Sequence, residues 1–239
     1  MWLISNKTKI VDSGLLDGFC DYHCHLLPGV DDGVAEMHES LAILERWESA
    51  GVAEVWLTPH IMEDIPNTPQ RLKAGFETLK TKYKGGIRLH LAAEHMMDNL
   101  LHKRLETKEM LPMGDKGMHL LVETSYFNPP MNMEKVVDKV KSHGFVPILA
   151  HPERYQYMGI GDYRKWKERG VLLQLNIPSM VGAYGPEVAK KAEMLLEKEM
   201  YDLCGTDTHS IRFVDFFFNG KIKKKYVKML CAINERRIF

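Results

Sequence analysis

Residues 170–176 read Gly170-Val171-Leu172-Leu173-Gln174-Leu175-Asn176. The aliphatic run has no wet face. That suits a parallel strand covered on both sides, not the alternation of a sheet with one side in water. Gly170 fits the position just past a helix end, and residues 162–169 before it have helical character. Helix, glycine and buried strand form one unit, and the rest of the chain repeats it.

Upstream, Met37, Leu41, Leu44 and Trp47 stand at helical spacing, which predicts a helix over 36–50. Gly51 ends it and 52–58 reads as a strand. Thr68 and Pro69 make an N-cap and first-turn pair that opens a helix to about residue 83, ahead of a strand over 87–93. Further strands are expected just before His23 and over 118–123, 145–150 and 201–205. Asn132 is expected to cap a helix to His143, with Gly144 closing it. Another helix follows Pro186, and a last one covers 221–236. The run Lys221-Ile222-Lys223-Lys224-Lys225 reads as the solvated start of that last helix, with a basic docking patch as the lesser alternative. This gives about seven β/α units, hence an α/β architecture: an irregular, barrel-like parallel sheet ringed by helices. No linker rich in Pro, Gly or Ser divides the chain. Residues 1–239 are expected to form a single domain, with 1–17 as an N-terminal extension packed outside the barrel.

Lys plus Arg and Asp plus Glu are 32 each, so net charge gives no push toward nucleic acid or an anionic membrane. Cys20, Cys24, Cys204 and Cys231 lack a Cys-x-x-Cys spacing and read as reduced thiols. Only Cys231, inside the expected last helix, has an arginine (Arg237) at Cys-x5-Arg spacing, and a helix is not the loop that such a nucleophile needs. No signal peptide and no membrane span are expected, so the protein is placed in the cytoplasm.

In barrels of this kind chemistry sits at the C-terminal strand ends. The first end carries Asp21-Tyr22-His23-Cys24-His25, with Pro28-Gly29 and then Asp31, Asp32 and Gly33 beyond it. Two histidines at i and i+2 share one side of a strand, so one metal ion can take both. Alone, the pair is within reach of chance among 11 histidines. The later ends decide: His60, Glu94-His95, Glu123, His151-Pro152-Glu153-Arg154, Asn176 and Asp207-Thr208-His209. Taken singly, each has an ordinary explanation as a loop residue or helix cap. Jointly they point to a divalent-metal site. His102 and His143 are assigned to helix surfaces, His90 and His119 to half-buried structural roles, and His95 to a pocket wall or to a supporting position behind the ligands.

These residues resemble the PHP (polymerase and histidinol phosphatase) superfamily. More closely, they resemble its bacterial protein-tyrosine phosphatases of capsule and exopolysaccharide synthesis. The resemblance is carried by 21–33, Ala92-Ala93-Glu94, Ala150-His151-Pro152-Glu153-Arg154-Tyr155 and Gly205-Thr206-Asp207-Thr208-His209. It spans about 18–236. It departs at Cys24, where serine is commoner, and at His95, where an aromatic or aliphatic residue is usual. Cys24 is expected to point away from the histidines.

The resemblance implies a distorted TIM-like (β/α)7 PHP barrel and three divalent metal ions, foremost Mn, with Fe or Zn as alternatives. His23, His25, Glu94 and Asp207 would hold the first ion. Glu94, Glu123 and His151 would hold the second, and Asp32, His60 and His209 the third. Asp31 is left outside these sets. Arg154, and less securely Arg212, would bind phosphate. The implied reaction is hydrolysis of phosphotyrosine by a metal-bridging hydroxide. The implied partner is a phosphotyrosine protein, such as a membrane-associated bacterial tyrosine kinase of polysaccharide assembly. The alternatives are a small-molecule phosphatase such as one for histidinol phosphate, a PHP-type exonuclease, and a metal-stabilised binding protein without catalysis.

Overall fold

The computed structural model describes residues 6–238. It is a mixed α/β fold whose parallel strands form a sheet curled into a half-barrel. One six-stranded stretch runs Leu203–Gly205, Leu172–Asn176, Val146–Ala150, His119–Glu123, Glu94–Met96 and His60–Ile61. A three-stranded stretch runs Cys20–Cys24, Glu54–Leu57 and Arg88–Leu91. Every pairing within both is parallel. The chain passes from the second stretch into the first twice, from Leu57 to His60 and from Leu91 to Glu94. At the other side the amides of Thr206 and Asp207 donate to the carbonyl of His23, at 3.2 and 2.7 Å. The His25 amide donates to the Thr208 carbonyl at 2.9 Å. The strand ends bearing His25 and Asp207 are thereby drawn together.

Period-two alternation sorts side chains into two apolar layers. Leu121, Ile148 and Ala150 join Cys20, Tyr22, Trp56, Ala92, Met113 and Leu203 in the inner cluster. Leu120, Val122 and Leu149 face the outer cluster, which the helices cover. The helix Met37–Ser49 buries Ile43, Leu44 and Trp47 there, and Pro69–Lys82 buries Leu72, Phe76 and Leu79. Thr68 caps the second helix as expected, its hydroxyl accepting from the Arg71 amide at 3.3 Å. Asn132 does not cap by its side chain. It takes a left-handed conformation (φ 54°) and makes no cap bond.

The first strand breaks its own alternation. Cys20 and Asp21 pair with Glu54 and Val55, but Cys24 pairs with Leu57, so three residues oppose two. Such a bulge re-aims side chains. Tyr22 packs inward, whereas Cys24, two residues on, packs in the outer layer with its thiol 3.5 Å from the Trp56 carbonyl. His23 and His25 therefore turn toward the sheet's concave side. Without the extra residue they would face the helices.

The C-terminal basic run departs from expectation. Lys221–Lys223 is a short strand, antiparallel to Lys7–Lys9, and the helix begins only at Lys224. Ile222 is buried, which fixes this face of the run inward. Ile10, Leu15 and Leu16 of the expected extension are also buried in the outer cluster, while residues 1–5 lie outside the described residues. A helix over Ile211–Asn219, not anticipated from the sequence, is capped by the Ser210 hydroxyl.

Candidate metal centre

The expected ligands converge at one end of the strands. Nε2 of His23 lies 3.1 Å from Nε2 of His25 and 3.1 Å from a Glu94 oxygen. The same Glu94 oxygen is 3.3 Å from His25 Nε2, and Asp207 Oδ1 is 3.4 and 3.3 Å from the two imidazoles. His151 Nε2 reaches the other Glu94 oxygen at 3.0 Å and Glu123 at 3.9 Å. His60 stands between two groups: its Nδ1 is 3.1 Å from Glu123 and 3.3 Å from Glu94, and its Nε2 is 3.5 Å from Asp32. His209 Nε2 completes the rim, 3.6 Å from Asp32. Three sets of donors each lie within 4.8 Å: His23, His25, Glu94 and Asp207; His25, Asp32, His60 and His209; and His60, Glu94 and Glu123. The sets share His25, His60 and Glu94, so the centre is a continuous cluster. Most of it is buried; Asp32, with 65% of its side chain exposed, marks the open side.

The donor chemistry fits divalent cations. His60 Nδ1 and Glu123 Oε1 are buried and 3.1 Å apart, yet among the described residues neither has a partner in hydrogen-bonding geometry. A buried unpaired polar atom costs about 1–3 kcal/mol, and a cation between such atoms satisfies both. Protonation points the same way. Burial opposes charge on His23, but Glu94 and Asp207 raise its pKa to about 8. Burial likewise opposes charge on His25, and Asp207, Asp31 and Glu94 nonetheless lift it well above its ordinary value. Burial pushes the Asp207 carboxyl up, yet His23, His25, His209 and Arg154 hold it well below the usual range. The carboxylates draw positive charge onto the imidazoles, and metal ions compete for those same nitrogens.

Two candidate ligand positions carry backbone strain. His151 and Asp207 both have positive φ, 34° and 52°. A non-glycine residue there costs of order 1–3 kcal/mol, and such outliers gather at functional sites. Two glycines make room for the paired histidines. A Cβ on Gly205 would fall 2.4 Å from the His23 Cβ, and one on Gly33 would fall 2.3 Å from the His25 carbonyl oxygen.

Of the supporting residues, the sequence reading named Asp31, leaving it outside the ligand sets, but not Gln174. Asp31 accepts from His25 Nδ1 at 2.8 Å, from the His60 amide at 3.0 Å and from the Gly33 amide at 3.0 Å. It thereby turns His25 Nε2 into the cluster. Gln174 does the same for His23, its oxygen 2.7 Å from Nδ1 and its amide donating to the Tyr22 carbonyl. The signal for Gln174 was present, as the one polar side chain in an aliphatic run. His95 is not a pocket wall. It is fully buried, accepts from the Leu111 amide at 3.3 Å and pairs with the Leu121 carbonyl at 3.2 Å. Burial pushes its pKa down to about 4, so it is a neutral backbone staple.

Arg154 sits beside the cluster. Its Nη1 donates to Asp207 Oδ2 at 2.5 Å and its Nη2 to the Tyr126 hydroxyl at 2.6 Å. The guanidinium also lies 4.4 Å from the Tyr126 ring centre and 4.2 Å from that of Tyr184. Tyr126 and Tyr184 lie in loops without periodicity, and nothing in the sequence marked them. Arg212 is exposed on the first turn of Ile211–Asn219 and makes no hydrogen bond or ion pair with the described residues.

A family description, capsular polysaccharide synthesis CpsB/CapC, matches residues 19–237. The chain belongs to the CpsB/CapC family. Among relatives, tyrosine-protein phosphatase YwqE of Bacillus subtilis is 24% identical over 202 residues, 82% of this chain and 79% of the relative. Tyrosine-protein phosphatase CpsB of Streptococcus pneumoniae is 24% identical over 204 residues, 80% and 83% of the two chains. A crystal structure from work on these two proteins, described as metal-dependent tyrosine phosphatases, superposes with a TM-score of 0.76. It covers 92% of this chain and 87% of its own at 20% identity, a likeness of fold.

Proposed function

We propose that this protein is a metal-dependent phosphatase that hydrolyses phosphotyrosine on a protein substrate. The observation that carries this reading is a buried imidazole–carboxylate cluster with an arginine held at its edge. Three divalent ions, foremost Mn, with Fe or Zn as alternatives, are proposed. His23, His25, Glu94 and Asp207 would hold one; Glu94, Glu123 and His151 a second; Asp32, His60 and His209 a third. Mixed nitrogen and oxygen donors without thiolate suit these metals. The ions would supply positive charge toward phosphoryl oxygens and lower the pKa of water.

The chain's own residues do the rest. Arg154 presents a planar fork suited to phosphate oxygens. Asp207 orients it through one carboxylate oxygen while the other faces His23 and His25. A tyrosine leaving group, with pKa near ~10, departs with less protonation than an alkoxide. No cysteine is needed. Cys24 is buried on the far face of its strand, and burial holds its thiol protonated. Arg212, three residues beyond His209 and exposed, is proposed as a second, less secure phosphate ligand.

The same reading takes the two parallel stretches as one seven-unit PHP barrel forming a single domain, 1–239, with 1–17 outside the barrel. No helix among the described residues is long and apolar enough to cross a membrane. A cytoplasmic enzyme is proposed, acting on a protein such as a membrane-associated bacterial tyrosine kinase. Elemental analysis together with activity on a phosphotyrosine peptide, histidinol phosphate and single-stranded DNA tests the reading. The peptide is expected to be the preferred substrate, with activity lost to EDTA and restored by Mn²⁺. Preference for histidinol phosphate or DNA, or EDTA-resistant activity, would refute it.

A further inference from the structure

Beyond Arg154 and Tyr184 lies an open groove of about 780 Å³. Its far wall is the first turns of the helix Pro186–Glu197, which present Val188, Lys190, Lys191 and Met194. Gly185, with φ of 91°, takes a conformation that L side chains rarely adopt. It turns the chain sharply between Tyr184, which hydrogen-bonds Asn176, and Pro186, which starts the helix.

We infer that this groove is the docking channel for the polypeptide that flanks the phosphotyrosine, selecting acidic residues on that segment. The inference rests on the phosphatase reading of the neighbouring cluster. Three observations support it. First, Arg154 and Tyr184 belong to both places: each reaches Asp207 and each lines the groove. A phosphoryl group against Arg154 therefore lies beside the groove. Second, the volume lies within the range of pockets that hold a small ligand, about 300–1,000 Å³, so there is room for a few side chains, and the groove is open to the surface, as a chain continuing past it requires. Third, its charge is available. Among the described residues Lys190 pairs with Glu187 alone, at 2.7 Å, and both side chains are more than 70% exposed. An exposed pair of this kind contributes about 0–1 kcal/mol, so a carboxylate of the substrate can replace Glu187. Lys191 is committed elsewhere. Its ammonium donates to the carbonyls of Tyr155 and Met158, holding the segment after Arg154 against the helix. Val188 and Met194 add apolar lining to the same groove.

The test compares p-nitrophenyl phosphate, which has no flanking chain, with two phosphotyrosine peptides, one acidic and one basic beside the tyrosine. The Mn²⁺-loaded protein is expected to favour the acidic peptide. Lys190→Glu is expected to lower kcat/KM for the acidic peptide roughly fivefold and to raise it for the basic one, on the scale of exchanging an attractive rim charge for a repulsive one. Val188→Trp, which fills the groove, is expected to raise KM for both peptides. Neither variant should change turnover of p-nitrophenyl phosphate. Peptide kinetics unmoved by both variants, or p-nitrophenyl phosphate turnover falling in parallel, would overturn the inference. A wild-type protein inactive on every phosphate ester would instead overturn the phosphatase reading.

Discussion

Asp31→Asn should loosen the metal centre without touching a ligand. The carboxylate is fully buried and serves three donors: His25 Nδ1, the His60 amide and the Gly33 amide. Asparagine keeps the volume but retains one accepting oxygen. At least one hydrogen bond is lost, and the remainder lose their ionic partner. Hydrogen bonds to charged groups contribute about 1.5–3 kcal/mol each, so unfolding free energy should fall by about 2–4 kcal/mol. The larger consequence lies at His25. Asp31 fixes the proton on Nδ1 and leaves Nε2 free to face Glu94 and Asp207. Removing such a partner typically weakens metal binding about 10–100-fold, equivalent to roughly 1.4–2.8 kcal/mol. Competition against a chromogenic chelator gives the affinity, and urea unfolding of the chelator-treated protein gives the stability. Asp32→Asn is the matched control: it is largely exposed, so its effect on metal-free stability should stay within about 0.5 kcal/mol. A folded Asp31→Asn protein that binds metal within twofold of wild type would refute the account of Asp31 as the group that aims His25.

Two other substitutions separate charge from geometry. Arg154→Lys retains the charge but loses the fork that spans Asp207 and Tyr126; kcat/KM on phosphotyrosine peptide should fall at least tenfold with metal content unchanged, and near-wild-type kinetics would remove Arg154 from phosphate binding. Gly205→Ala would drive a methyl group to 2.4 Å from the His23 Cβ; because backbone on both sides must shift, a loss of about 1–3 kcal/mol is expected, with metal affinity falling as well, and an unchanged melting curve would show that the strand yields freely.

The elements that local periodicity controls were legible. Met37–Ser49 and Pro69–Lys82 follow from apolar spacing and from a Thr-Pro start, and the strands follow from short aliphatic runs. What depends on a distant partner was not. Lys221–Lys223 forms a strand because Lys7–Lys9 pairs with it and Ile222 has a place to bury; two lysines around one isoleucine carry no such signal. His95 looked like part of the site because it follows Glu94. A strand sends neighbours to opposite faces, and there His95 meets two backbone groups instead of a metal.

The paired histidines show how far a local motif reaches. Their spacing puts them on one side of a strand but cannot say which side. On the alternation set by Cys20 and Tyr22 in the inner layer, they would have faced the helices. The extra residue against Val55–Leu57 reverses this, and Gly33 and Gly205 leave space for the result. Asp31 and Gln174 then take the Nδ1 atoms, so that both Nε2 atoms face Glu94 and Asp207. The cluster is therefore specified by a bulge, two missing side chains and two polar partners as much as by the donors themselves. Gln174 is the link back to the fold: it and Asn176, which donates to Asp207, are the polar residues of an otherwise aliphatic strand, and through them that strand touches the candidate metal centre.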